Sequence, residues 1–147
     1  MIEINELIKH PIQLIGVDMV SCDIKKYIEC INTVEYNDAQ VKLRTYSKLD
    51  ADDKNIGFTY LNIIIEFSED NKPFKMDVTY RGKCILDKDI KDTKKFEKFL
   101  ETQGLKLLWP YLRVAITDLM IKMDVQPIKL PTIDVLQTMK RATIDKE

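Results

Sequence analysis

The stretch FKMDVTYRGKCIL, residues 74–86, decides the fold class. Its even positions, from Phe74 to Leu86, are apolar or small, and its odd positions are mostly charged or polar. This period of two predicts a β-strand with one buried face and one solvated face. Antiparallel sheets commonly show such a difference between their two faces.

Three further strands are predicted on the amino-terminal side of this stretch. Residues 56–67 are β-branched and aromatic on both faces, so we expect this strand to be covered on both sides. Residues 40–49 alternate between polar and less polar positions, and residues 12–22 form a more mixed first strand. The polar run 68–72 has turn composition, which predicts a hairpin between 56–67 and 74–86.

Residues 93–123 have helical periodicity and predict two helices. Gly104 is interpreted as the stop of the first helix, and Pro110 is placed in the first turn of the second. The second helix is apolar over more than one face, so we infer a further partner surface, most simply another subunit. Residues 2–9 carry apolar side chains at helical spacing and predict a short N-terminal helix.

The order of these elements predicts an α+β fold: a four-stranded antiparallel sheet with two main helices packed on one face, plus the short N-terminal helix. A chain of 147 residues is expected to form a single domain, 1–147. Within it we distinguish an N-terminal amphipathic segment (1–10), the sheet (12–86), the helices (93–123) and a carboxy-terminal part (124–147) with a proline loop, a short helix and a tail.

Composition and charge exclude several classes of function. The chain has 23 Lys+Arg and 24 Asp+Glu, a net charge of −1, which disfavours binding to nucleic acid. The lysines of 91–98 are interleaved with acids and predict a solvated helix face. Cys22, Cys30 and Cys84 are too few and too scattered for a disulfide framework. With no signal-like start and no apolar membrane segment, these features predict a cytoplasmic protein without membrane insertion.

Residues that carry catalytic chemistry are scarce. His10 is the sole histidine, the cysteine spacing fits no zinc site, and the chain lacks glycine-rich phosphate loops and a nucleophile elbow. The acids Asp50, Asp52 and Asp53 fit a solvated turn better than a calcium loop. We therefore expect a binding protein that is not an enzyme and that has no cofactor and no metal site.

Two elements of the carboxy-terminal half resemble the SecB family of export chaperones. The run Trp109-Pro110-Tyr111-Leu112-Arg113 is similar to the family's helix start, and Pro127-Ile128-Lys129-Leu130-Pro131 is similar to its proline loop. The resemblance covers about residues 12–140, including the strand pattern. It implies a dimer of dimers, a homotetramer, that holds unfolded polypeptides in hydrophobic grooves without ATP.

The resemblance also implies where a client chain would bind. The groove of the family is formed by the second-helix region, the connection after the first strand and the proline loop. The matching positions here are Trp109, Leu112, Ile128, Leu130, Ile133 and Val135, together with Tyr27, Ile28 and Ile31 from the first connection. Each of these side chains also fits an ordinary core position.

Some positions depart from the family pattern and leave the partner open. Asp23 and Asp77 match two acids that face the export motor SecA. Met19 stands at a third of these acidic positions, and Lys75 stands at a neighbouring position that is apolar in the family. The near-neutral charge is also unusual for an export SecB. The client is then an unfolded polypeptide or preprotein, or else an antitoxin, as for SecB-like chaperones of toxin–antitoxin systems. A small apolar-ligand-binding domain is the alternative from another class.

Overall fold

The computed structural model describes residues 1–27, 39–67 and 72–144 of the chain. Within these ranges, four strands and three helices follow one another in the order β, β, β, β, α, α, α. They are β1 (Ile12–Lys26), β2 (Ala39–Leu49), β3 (Ile56–Phe67), β4 (Phe74–Leu86), α1 (Thr93–Glu101), α2 (Gln103–Lys122) and α3 (Val135–Ile144). The predicted α+β class and the four antiparallel strands are confirmed.

The strands form one sheet in the order β1-β4-β3-β2, with every neighbouring pair antiparallel. The predicted hairpin of β3 and β4 is therefore confirmed. The first strand is longer than predicted and pairs with β4 as far as Lys26. Because β1 and β2 lie at opposite edges, β3 and β4 form the centre of the sheet.

The helices cover one face of this sheet, which we call the inner face. Helix α2 packs on β4 and β3, and α1 packs on β2 and β3. The alternation of β4 is confirmed, because Phe74, Met76 and Val78 are completely buried while Lys75 between them is exposed. The largest fully buried side chains, which form most of the core, are Phe74, Phe96, Leu61, Ile63, Ile65, Met76, Leu100, Leu108, Leu112, Ile116, Met120 and Val78.

The junction between α1 and α2 is fixed to β3 by a buried threonine. Thr59 has no exposed surface, and its hydroxyl donates a hydrogen bond of 2.9 Å to the carbonyl oxygen of Leu100 near the end of α1. A β-carbon on Gly104 would lie 2.9 Å from the Thr59 methyl group. The prediction that Gly104 ends the first helix is therefore wrong. Glycine is required there because α2 approaches β3 so closely, and α1 already ends at Glu101.

The second helix also begins earlier than predicted. Pro110 lies inside α2, which starts at Gln103. A proline inside a helix cannot donate to the carbonyl one turn earlier. Pro110 and Lys106 are both exposed, so water can satisfy the carbonyl of Lys106 that loses its partner.

The predicted N-terminal helix is only a 3-10 turn, over Ile4–Glu6. The Glu6 carboxylate accepts the amide of Glu3 at 2.9 Å and closes this turn. Ile4 and Ile8 are 89% and 99% exposed. Their helical spacing therefore produced no helix, because most of the stability of a short helix comes from burying its apolar face.

Candidate functional site

The candidate site lies along α2, where the chain turns back after the helix. Residues 124–134, here called the return segment, run antiparallel to α2. Near the end of the helix, the amide of Ile128 lies 3.3 Å from the sulfur of Met120. About three turns earlier in the helix, the indole nitrogen of Trp109 donates to the carbonyl of Pro131 at 3.2 Å. These contacts hold an extended segment beside the helix at both ends.

The return segment begins with a helix stop that contains no glycine. Asp124 has a φ of 54°, in the left-handed region. Its amide donates to Ile121, and the amide of Val125 donates to Met120. This is the hydrogen-bond pattern of a Schellman motif, in which glycine is the usual residue. The sharp reversal therefore forms with an aspartate that tolerates the left-handed conformation.

The predicted groove residues of this region separate into two groups by burial. Trp109, Leu112 and Val135 are 5%, 0% and 2% exposed and belong to the main core. Ile128, Leu130 and Ile133 are only partly buried and pack against that core from outside. The surface that a ligand can reach without rearrangement is therefore the row formed by Ile128, Leu130 and Ile133, here called the return-segment row.

The residues predicted from the first connection lie elsewhere. Tyr27 donates its amide to Pro73 at 3.1 Å and lines, with Phe67 and Phe74, a surface cavity of about 220 Å³ at the end of the sheet. Among the described residues, no hydrogen bond joins Tyr27 to the return segment. Ile28 and Ile31 lie outside the described residues.

The outward side of α2 carries a second apolar surface. Leu107, Tyr111, Val114 and Ile121 are 41%, 50%, 61% and 61% exposed. Their spacing is that of a helix–helix seam with Asp118 in the remaining position. The sequence predicted apolar residues on more than one face of this helix. Tyr111, Val114 and Ile121 agree with that prediction, whereas Leu108, Trp109 and Met120 are buried in the core.

The edge strand β2 was not among the predicted site residues. Val41 points to the inner face and is 44% exposed, beyond the cover of α1. The same face of β2 carries Leu43, Thr45 and Ser47. Alternation predicted which side chains share a face, but exposure at an edge depends on the order of the strands, and no local pattern reports it.

The outer face of the sheet, opposite the helices, contains the two acids matched to SecA contacts. Asp23 and Asp77 are direct cross-strand partners. Asn62 donates a hydrogen bond of 2.6 Å to the Asp77 carboxylate. The charged side chains of this face are the acids Asp18, Asp23, Glu66 and Asp77 and the cations Lys25, Lys42, Arg44, Lys48, Lys75, Arg81 and Lys83. Cations therefore outnumber acids on the strands of the outer face.

Of three ionisable groups near the sheet, Cys84 is buried, Tyr80 is half-buried and His10 is exposed. Burial raises the pKa of the Cys84 thiol to about 11. Burial, assisted by the nearby Asp118 carboxylate, also raises the pKa of Tyr80. The ring nitrogen Nδ1 of His10 accepts the amide of Ile12 at 3.0 Å. Within the described ranges, no group of His, Cys, Asp and Glu is arranged to hold a metal ion, and no helix is long and apolar enough to cross a membrane.

Comparison with known proteins identifies the fold. No protein-family model and no curated protein sequence matches the chain. Among solved structures, the chain is similar to the Mycobacterium tuberculosis SecB-like chaperone Rv1957 in complex with a ChAD peptide from the HigA1 antitoxin Rv1956. The TM-score is 0.66 at 11% sequence identity, over 84% of this chain and 88% of the other. The protein therefore has a SecB-like fold.

Proposed function

We propose that this protein is an ATP-independent cytoplasmic chaperone that holds unfolded polypeptide segments. The observation that carries the proposal is the return-segment row beside α2 in a SecB-like fold. Burial of apolar surface contributes about 25 cal/mol per Å² and demands little of the client sequence. A row of partly exposed isoleucine and leucine can therefore bind many extended segments weakly.

We further propose that the chain assembles as a homotetramer, a dimer of dimers, in which the outward side of α2 forms one of the two kinds of subunit interface. Leu107, Tyr111, Val114 and Ile121 would pack against the same helix of a second copy. Several copies of the return-segment row in one particle would bind one long client at several points, which raises the overall affinity.

Protection of an antitoxin is the second candidate function. It is favoured by the structural similarity to a SecB-like chaperone that is bound to an antitoxin peptide. The surplus of cations on the outer face also argues against a surface adapted to SecA, since Asp23 and Asp77 are outnumbered there. Export of preproteins and antitoxin protection would use the same groove and differ in the partner of the outer face.

Suppression of client aggregation tests the holding activity. Purified protein, without nucleotide, should reduce the light scattering of a chemically unfolded client. Ile128→Asp should weaken client binding about tenfold or more, because it replaces apolar surface by a charge. Ile2→Asp is the matched control, since it makes the same change at a 72% exposed N-terminal position. Unchanged scattering with the parent protein would overturn the proposal.

The fluorescence of Trp109 tests the location of the groove. This is the sole tryptophan, and its indole nitrogen is bonded to Pro131 of the return segment. A client that displaces or covers the return segment should shift the emission maximum. If a client binds with no change in emission, its site lies away from this segment.

The oligomeric state is tested by measuring mass in solution. Val114→Glu places a charge in the exposed seam of α2 and should reduce the mass to that of a smaller assembly. Lys106→Glu changes a neighbouring exposed residue outside the seam and should leave the mass unchanged. An unchanged mass in Val114→Glu would exclude this side of α2 as the subunit interface.

Binding measurements with both partners separate the two functions. A protein of the export branch should bind SecA, and Asp23→Lys with Asp77→Lys should abolish that binding. A protein of the antitoxin branch should bind the tail of an antitoxin and not SecA.

A further inference from the structure

The two edges of the sheet are built differently. Strand β1 has register shifts between Leu14 and Gly16 and between Met19 and Ser21, so Ile15 and Val20 are extra residues. Bulges of this kind protect an edge against pairing with another chain. Strand β2 pairs with β3 residue by residue from Ala39 to Leu49, with no shift. Its edge is therefore regular and suitable for a further strand.

One hydrogen bond determines which main-chain groups of β2 face outward. The amide of Asp50 donates to Ile56 at 2.8 Å, and this pair continues the register of β2 with β3. Hydrogen-bonded and non-hydrogen-bonded pairs alternate in an antiparallel ladder. The even residues of β2 therefore bond to β3, and the odd residues direct their N–H and C=O groups away from the sheet. These odd residues include Val41, Leu43, Thr45 and Ser47.

The side chains beside this edge differ between the two faces of the sheet. On the inner face the odd residues are uncharged, and Thr45 and Ser47 line a surface cavity of about 290 Å³ with Leu100, Glu101 and Leu105 of the two helices. On the outer face the same strand carries the cations Lys42, Arg44 and Lys48. A strand added here would meet apolar and neutral side chains of β2 on one face, with the acid Glu101 of α1 nearby, and the cations of β2 on the other.

We propose that the edge of β2 accepts an extended client segment as a fifth strand, with a preference for segments that alternate apolar and acidic residues. This inference deepens the proposed chaperone function and rests on it. The client main chain would bond the outward groups of the odd residues. Its apolar side chains would lie on the inner face beside Val41 and Thr45, and its acids would lie opposite Lys42, Arg44 and Lys48.

A second copy of β2 is a poorer occupant of the same edge. Two β2 strands paired antiparallel, with their faces aligned, place cations opposite or diagonal to each other in every central register. Arg44 would face Arg44, Lys42 or Lys48 of the other copy in several of these registers. Like charges at such positions destabilise a strand pair. Acidic residues in the added strand convert this repulsion into attraction.

Short capped peptides test the charge preference. A labelled peptide that alternates Glu and Val should bind about tenfold more tightly than one that alternates Lys and Val, as expected for two or three cross-strand ion pairs. Arg44→Glu should reduce or reverse this ratio. Lys75→Glu makes the same charge change on the outer face of the central strand β4 and should leave the ratio unchanged. Equal binding of both peptides would overturn the preference.

Main-chain bonding is tested on the protein and on the peptide. Thr45→Pro removes an outward N–H without removing a bond to β3, and proline is tolerated at such edge positions. It should abolish binding of the Glu-Val peptide, while Thr45→Val should retain it. If Thr45→Pro does not fold, a Glu-Val peptide with N-methyl groups on alternate residues tests the intact protein. Undiminished binding of the methylated peptides, whichever alternate set carries the methyl groups, would overturn strand addition.

Three outcomes separate this inference from the chaperone function. If the protein suppresses client aggregation but binds all these peptides equally, the chaperone function stands and the fifth strand is wrong. If the protein neither suppresses client aggregation nor binds any of the peptides, the proposed chaperone function itself is wrong. If the parent protein self-associates in a way that Thr45→Pro abolishes, the occupant of this edge is a second copy and the proposal is overturned.

Discussion

The centre of the inner face and its periphery use the same kinds of apolar residue and differ in what covers them. In the centre, Leu61 and Ile63 of β3 have no exposed surface under α2. At the periphery, Val41 on β2 is 44% exposed and Ile128 is only partly buried. Position in the fold, and not residue type, thus decides whether an isoleucine, leucine or valine stabilises the fold or remains available for binding.

The largest expected difference between the two regions is the stability that is lost when a leucine is replaced by alanine. Leu112→Ala removes a completely buried side chain from the centre and should lower the free energy of unfolding by about 3 kcal/mol. Leu130→Ala removes a partly buried one from the return segment and should cost about 1 kcal/mol. Urea denaturation of both variants measures the difference. Equal losses would mean that the return segment is part of the core.

Cysteine ionisation should distinguish the regions by pH. Cys84 in the centre has a pKa raised by burial from 9.0 to about 11. In the unfolded chain this thiol ionises first, so stability should fall by about 2 kcal/mol as the pH rises from about 9 to about 11. Cys84→Ala should remove that part of the slope. Cys22 on the edge strand is exposed and should react with a thiol reagent while Cys84 is protected. Equal reactivity would contradict this contrast.

Replacing the buried Thr59 of the centre should lower stability more than replacing the exposed Thr45 at the edge. Thr59→Val keeps the shape of the side chain but leaves the Leu100 carbonyl without the hydroxyl that donates to it. We expect a loss of about 1–2 kcal/mol. Thr45→Val on β2 is the matched control and should change stability by less than about 0.5 kcal/mol. Thermal denaturation of the two variants provides the measurement.

The smallest expected effect is a gain in stability from a substitution at the start of the return segment. Asp124→Gly relieves the left-handed conformation of an L-residue and should raise stability by about 0.5 kcal/mol. Gln126→Gly, two residues later, should lower stability slightly, because it adds flexibility without relieving strain. A gain from both substitutions would mean that the conformation of Asp124 is not the cause.

The regular part of the fold could be predicted because it depends on local alternation. The alternation of β4 and the turn composition of 68–72 predicted the central hairpin correctly. Cover on both sides of 56–67 was also expected, but the described helices lie on the inner face only, and Phe58 and Tyr60 on the outer face are half-buried. The start of α2 could not be predicted, because Pro110 and Gly104 are local stop signals that tertiary contacts override. The prediction of an N-terminal helix was wrong because a local signal lacked tertiary support. Ile4 and Ile8 have the spacing of a helix but are not covered by the rest of the described chain.

The candidate site was only partly accessible to sequence reasoning. Resemblance to a known family located the proline loop, and the structure places Ile128, Leu130 and Ile133 at the surface of the core. Resemblance could not separate these from Leu112 and Val135, because burial depends on how the return segment packs against α2. The edge of β2 required knowledge of the strand order, which arises from pairings between distant parts of the chain.

The order β1-β4-β3-β2 has a consequence for how the protein folds. Strand β1 has no partner until β4 is available, and Ile12 pairs with Leu86. Closing a loop of that length costs entropy before any contact compensates for it, which slows folding. During synthesis, the first strand must wait, with Ile12, Val17 and Ile24 unpaired, until the rest of the sheet emerges from the ribosome. A protein proposed to shield other unfinished chains is itself, for that interval, an unfinished chain with an apolar strand exposed.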